Sequence, residues 1–252
     1  MGVSLGLFGG GGSIIALPML VYLFHIDPDV AIVYSLLMVG STSFFAATNH
    51  LKSGNVVSRV ALQFGVASVL MVAATRYFIT PALPAVFGII AGVTIHKSVV
   101  LLLLFGTVML LAARSMLKTA ATATFDSAPA SALSLAVCGT GVGLLTGLLG
   151  AGGGFLIVPT LVHFAHLDIK KAIGTSLVII GSNALIGFFV SVWQKPQAID
   201  WAFLGVFLAL AFVGTWLGAQ LSQRINSAAL KPAFGWFVLV MGAYIIAKEL
   251  FF

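Results

Sequence analysis

The chain has 252 residues, of which 60% are hydrophobic and only 7% charged, and its mean hydropathy is +1.16. A soluble domain carries about 25% charged residues, so this composition excludes a water-covered surface and makes the chain an integral membrane protein. The net charge of +6 comes from basic residues dispersed singly between apolar runs, which suits loops beside a bilayer and excludes a nucleic-acid-binding stripe.

In chain order the apolar segments are 1–24, 30–51, 60–80, a short 82–95, 98–117, 130–149, 154–167, 171–193, 201–222 and 228–250. A helix needs about 20 apolar residues to cross a bilayer, and 30–51, 60–80, 98–117, 171–193, 201–222 and 228–250 meet that length. The piece 82–95 is read as a short interfacial helix or an extended end of its neighbours. Residues 119–129 are small, polar and Pro-containing. They are read as a linker between a first membrane repeat, 1–118, and a second, 130–252. Turns at 52–59 and 194–200 hold matching places inside the halves. The single Cys138 excludes an intrachain disulfide, and Met1 leads into Gly-rich sequence without the basic region or cleavage site of a signal peptide.

The halves share a sentence. Residues 6–36, GLFGGGGSIIALPMLVYLFHIDPDVAIVYSL, align with 147–177, GLLGAGGGFLIVPTLVHFAHLDIKKAIGTSL, at a constant offset of 141, and 14 of the 31 positions are identical. Duplicated halves with interrupted apolar segments at matching places point to a secondary transporter. From Ala130 to Leu167 there are 38 residues without Asp, Glu, Lys or Arg, broken by Gly147, Gly150, Gly152, Gly153 and Gly154. Each internal Gly costs a helix roughly 1 kcal/mol, so three in succession interrupt it. The lengths fit a helix–loop–helix hairpin with its tip at membrane depth, where irregular backbone survives only if buried in protein or lining a cavity. Helices restarting after Ser13 and Gly154 present free N–H groups and a partial positive charge, which suit an anion. Close helix packing through small residues is the competing reading of these glycines. Pro18 and Pro159 fall within the restarted helices, as kinks or as part of the site.

The paired strings GGGGSIIALPML and GAGGGFLIVPTL, each followed by A-x-x-x-S-L (Ala31, Ser35, Leu36; Ala172, Ser176, Leu177), resemble the TauE/SafE or sulfite exporter family, as do NHLKSGNVVS at 49–58 and KPQAIDW at 195–201. The resemblance covers essentially the whole chain. It implies export of sulfite, sulfoacetate or a related organosulfur anion through a bacterial inner membrane, without identifying the substrate. Two departures stand out. The first half lacks the apolar stretch Ala130–Val142 that precedes the second motif, and Val33-Tyr34 replaces Gly174-Thr175 before the serine.

The expected binding set is Gly11, Gly12, Ser13, Pro18, Ser35, Asn49, Gly152, Gly153, Gly154, Pro159, Thr175, Ser176 and Asn183, a collection of N–H and O–H donors around a small oxyanion. His25, His163 and His166 are read as interface histidines, not metal ligands, and Asp27 and Asp168 as helix-terminus or turn residues. Arg76 is read as snorkelling to the headgroups, with a buried substrate-binding arginine as the sharper alternative. No Asp or Glu is read within a span, which leaves no obvious proton relay. No cofactor or metal is expected, and the partners are a small anion and the lipid bilayer.

The expected fold is an all-α integral membrane protein of two homologous, inverted repeats, each a Gly-broken or re-entrant helix plus about three spanning helices. Inversion places Lys52, Arg59, Arg114, Lys118, Lys170, Lys171, Arg224 and Lys231 on one side and Arg76, Lys97, Lys195 and Lys248 on the other, and cytoplasmic loops hold the excess. The expected function is anion export by alternating access. The alternative is transport of another small solute (thiosulfate, a thiol compound or a metal-related anion). A membrane-embedded enzyme is disfavoured, since there is no G-x-S-x-G, no paired intramembrane aspartates and no P-loop.

Overall fold

The computed structural model describes residues 1–84, 86–90, 93–118, 131–150, 152–195 and 199–251. The linker assigned to 119–129 lies outside them, as do residues 196–198 of the turn at 194–200. The first half contains α1 (Gly2–Phe8), α2 (Gly11–Pro18), which continues as a π turn over Met19–Leu23, α3 (Pro28–Lys52), α4 (Ser58–Ala74), which continues as a π turn over Thr75–Ile79, and α5 (Thr80–Ala82). Two strands, β1 (Val86–Ile90) and β2 (Val93–His96), precede α6 (Lys97–Lys118). The second half contains α7 (Ala132–Leu149), α8 (Gly154–Phe164), α9 (Ile169–Gln194), α10 (Trp201–Arg224) and α11 (Ser227–Phe251).

Seven helices among the described residues are long and apolar enough to cross a membrane, and α2 and α8 form shorter apolar pieces. The chain is a multi-pass membrane protein with all-helical spans. Two expectations are corrected. Within the piece 82–95, Val86–Ile90 pairs antiparallel with the strand that starts at Val93, Gly88 opposite Ile95 and Ile90 opposite Val93, and the paired residues are not an interfacial helix. Its Val, Phe and Ile content suits paired strands, where β-branched and aromatic side chains pack well. Glu249 lies within the last span, accepting a hydrogen bond from the Tyr22 hydroxyl, so the spans are not free of carboxylates.

The helix starts are capped as their residues dictate. Asp27 accepts from the N–H of Asp29 at 2.9 Å, with Pro28 at the first helical position, and Asp168 accepts from Lys170 at 3.1 Å. Both aspartates satisfy orphan donors at helix N-termini. His25 and His166 just before them have φ of 53° and 52°, the left-handed turn repeated in both halves.

Helix pairing crosses between the halves. α7 of the second half runs parallel to α4 of the first. A Cβ on Gly139 would lie 2.4 Å from the Phe64 carbonyl oxygen, one on Gly143 2.5 Å from that of Ser68, and one on Gly147 2.6 Å from Thr75 Cβ. α1 makes the same contact with α10: Cβ atoms on Gly2 and Gly6 would come within 2.4 and 2.2 Å of the carbonyl oxygens of Ala211 and Thr215. Small residues at four-residue spacing let membrane helices touch backbone to backbone, so the packing reading holds for Gly6 and Gly147. α3 and α9 cross antiparallel, Gly40 against Leu185 and Gly181 against Phe44. Residue 40 plus 141 is 181, and 44 plus 141 is 185, so one contact is made twice with the halves exchanged. A two-fold relation produces that pattern. α6 and α11 likewise meet at Gly106 and Gly242.

Candidate functional site

The glycine breaks lie where the sequence puts them. α1 ends at Phe8, Gly9 turns left-handed (φ 66°), and α2 starts at Gly11. α7 ends at Leu149. Gly150, Gly152 and Gly153 then hold φ of 68°, 68° and 70° before α8 starts at Gly154. Only glycine holds such a run at little cost. The tips meet each other, since a Cβ on Gly10 would lie 2.4 Å from the Gly154 carbonyl oxygen. Gly152 lies against Val39, halfway along α3, and against Ile180 and Ala184 of α9. Within each hairpin the restarted helix packs on the arm before it, Gly12 on Leu5 and Gly153 on Thr146.

The expected hydroxyls bind across the halves. Ser35 is buried, and its Oγ donates to the carbonyls of Ile32 at 3.0 Å and Gly150 at 3.2 Å. Ser176 does the same toward Ile173 at 2.8 Å and Gly9 at 3.4 Å. Each half's serine holds the other half's tip. Thr175 Oγ1 accepts the Val57 N–H at 3.0 Å, and the Tyr34 hydroxyl at the matching position accepts the Asp200 N–H at 2.7 Å. Tyrosine therefore fills the threonine's role in the first half. Asn183 is buried and donates to Ser68 Oγ at 2.8 Å, leaving its Oδ1 without a partner. Gly11 and Ser13 open α2, and Pro18 and Pro159 are buried within α2 and α8. Asn49 is not brought to the tips: it stands ten residues beyond Val39 on α3, on the order of 15 Å along the helix.

A cavity of about 950 Å³ reaches Leu148 and Leu149, just before the second tip, and none of the expected binding residues is among its lining. Half-buried Ile32 and buried Phe105 and Leu149 lie among its apolar lining, and Arg76 and Ser191 supply polar groups there. Tyr77, His96 and Trp193 are exposed at its mouth, where Trp193 is 84% accessible. Aromatic side chains of this kind suit a membrane–water boundary. Three cations, Arg76, Lys97 and Lys195, face two carboxylates, Asp27 and Asp29. Lys97 Nζ donates to the Thr80 carbonyl at 3.0 Å, and three cations against two carboxylates leave the lining with a positive excess of one charge. Among the described residues no group of three or more His, Cys, Asp or Glu could hold a metal ion.

Arg76 does not snorkel. It is 6% exposed in the π turn after α4. Ser191 and Thr146, absent from the expected set, also stand near the second tip. The sequence carried a signal for the arginine, an ionisable residue inside an apolar run, but none for the two hydroxyls.

The sulfite exporter TauE/SafE family model matches residues 1–245. A probable membrane transporter protein of Xylella fastidiosa (strain 9a5c) is 31% identical over 256 residues, covering 99% of this chain and 92% of that protein. Proteins of the same description from Haemophilus influenzae and Methanocaldococcus jannaschii are 26% and 24% identical, over 98% of this chain and 94% and 91% of theirs. No solved structure matches the chain.

Proposed function

We propose that this chain, which belongs to the sulfite exporter TauE/SafE family of membrane transporters, exports a small sulfur-containing anion across the inner membrane of a bacterium. The observation that carries the reading is the positively lined cavity that reaches Leu149 and Arg76 beside the second Gly tip. The Arg76 guanidinium and the Ser191 hydroxyl in its lining suit a solute that offers several acceptors and no strong donor. A volume of about 950 Å³ admits sulfite or a short organosulfonate.

The halves act as inverted repeats. α3 and α9 run antiparallel, and α7 enters alongside α4 while α1 enters alongside α10. Arg76, Lys97 and Lys195 all line the cavity, and Glu249 beside Lys248 reaches Tyr22 on the same side. These are the four cations of the sparser side, so the cavity opens outward. Rocking of the two halves about the paired tips then exposes the site alternately. The serine bonds to Gly9 and Gly150 are the contacts such rocking has to exchange.

Export needs no coupled ion. Each negative charge leaving a cytoplasm at −100 mV gains about 2.3 kcal/mol, which supports roughly a fiftyfold outward gradient of a monoanion. The test loads proteoliposomes of the full chain with labelled sulfite, thiosulfate or sulfonates, clamps the potential and removes any pH gradient. Efflux that follows the potential is expected. Flux that ignores the potential and follows an imposed pH gradient refutes uniport, and no flux of any sulfur anion refutes the substrate class.

A further inference from the structure

We infer that the anion site is single and asymmetric: Arg76 grips a compact oxyanion at the second Gly tip, and the first tip is its apolar counterpart. The inference rests on the transport reading above and concerns which side chain holds the anion.

Arg76 Nη2 lies against the tip, 2.2 Å from where a Cβ on Gly150 would stand. Nη1 donates to Ser191 Oγ at a long 3.4 Å, while Nε and Nη2 have no hydrogen-bond partner. Asp29 attracts the guanidinium electrostatically, but neither of those nitrogens is bonded to it. Burying a charge costs several kcal/mol unless it is paired, and an arginine cannot escape by losing its proton. A guanidinium with two unused nitrogens beside a cavity is therefore matched to a ligand that brings its own negative charge. Nε and Nη2 form one planar edge, and two parallel N–H bonds from such an edge fit two oxygens of a single oxyanion.

The first half has no equivalent. Residue 76 plus 141 is Leu217, which is half exposed on α10. Thr146 places an unpartnered hydroxyl against Gly153, where the first half sets Leu5 against Gly12. Three left-handed glycines shape the second tip and one shapes the first. The contacts that join the tips are duplicated; the unpaired polar groups beside them are not.

The test compares the full chain with Arg76→Gln and Arg76→Lys. Each is titrated in detergent with sodium sulfite, sulfate, phosphate or acetate while its melting temperature is followed, and each is assayed for sulfite efflux from proteoliposomes. Arg76→Gln should weaken half-saturation at least tenfold and abolish anion-induced stabilisation, and Arg76→Lys should fall between. Without anion, Arg76→Gln should melt no lower than the parent, whereas an arginine with a merely structural role would lower it. Unchanged half-saturation in Arg76→Gln overturns the inference and leaves the transport reading standing. If no sulfur anion is carried but another oxyanion stabilises the chain through Arg76, the substrate class falls and the inference holds. If no oxyanion binds or crosses, both fall.

Discussion

Gly153→Ala isolates the cost of the second tip. The added Cβ would lie 2.0 Å from Thr146 Oγ1, 2.9 Å from its Cγ2 and 3.0 Å from its Cβ, at a φ of 70°. The left-handed backbone costs an L residue about 1–2 kcal/mol. Overpacking adds about 1–3 kcal/mol, and Thr146, branched at Cβ on a helix, has little freedom to turn away. The sum is about 2–5 kcal/mol. Gly12→Ala meets Leu5 at 2.4 Å but without the left-handed backbone, so it carries only the overpacking share. Thr146→Ala combined with Gly153→Ala removes the two closest atoms and leaves the 3.0 Å contact. The double variant should therefore recover most of the steric share and keep about 1–2 kcal/mol of strain, read as a double-mutant cycle. Unfolding by SDS titration in mixed micelles, followed by tryptophan fluorescence, measures the four chains of the cycle and Gly12→Ala. Complete recovery in the double variant refutes the strain argument. A neutral Gly153→Ala refutes the tip packing itself.

Gly143→Ala should push α7 off the Ser68 carbonyl and cost about 1–3 kcal/mol, whereas Gly141→Ala, with nothing within 4 Å of its Cβ, should be neutral or stabilise by up to about 1 kcal/mol; equal effects in the same titration would contradict the helix contact. His25→Gly and His166→Gly relieve a left-handed φ at exposed positions, so stability should hold or rise by about 1 kcal/mol with sulfite flux retained. Loss of flux in either would bring the imidazoles into a proton-coupled mechanism. Ser98→Cys, at the cavity lining, in a Cys138→Ala background should react with an impermeant maleimide added outside cells; reaction only in inside-out vesicles would reverse the orientation.

The breaks at Gly9 and Gly150 and the matched spans were legible because a missing side chain leaves its mark in one dimension: glycine in succession stops a helix wherever it falls. The partners of the broken arms were not legible. Lipid-facing apolar segments look alike, and the contacts that place α7 on α4 are made by backbone carbonyls of Phe64 and Ser68, which every residue possesses. Ser35 and Ser176 were legible as duplicated hydroxyls, yet the carbonyls they reach lie 115 and 167 residues away. Whether Tyr34 supplies the hydroxyl that Thr175 supplies in the second half was open in the sequence, because a longer side chain reaching the corresponding turn is a matter of distance and not of type. The hairpin at 86–96 failed for the opposite reason: short apolar runs carry no decisive period. For Arg76 the apolar run around it was legible but not the direction of its side chain, which from the π turn points to Gly150 and not to the headgroups.

The exchange of arms has a temporal side. Gly2 and Gly6 pack on Ala211 and Thr215, so the surface that α1 needs is synthesised about 200 residues after α1 itself. At a typical 5–20 residues per second, α1 waits on the order of 10–40 s beside the ribosome with its backbone-contact face uncovered. α4 waits too, though more briefly, for α7. Neither half can reach its final packing during its own insertion, and a chain stopped after α9 would leave α1 permanently without a seat. Quality control of this protein in the cell therefore turns on whether translation runs to α10.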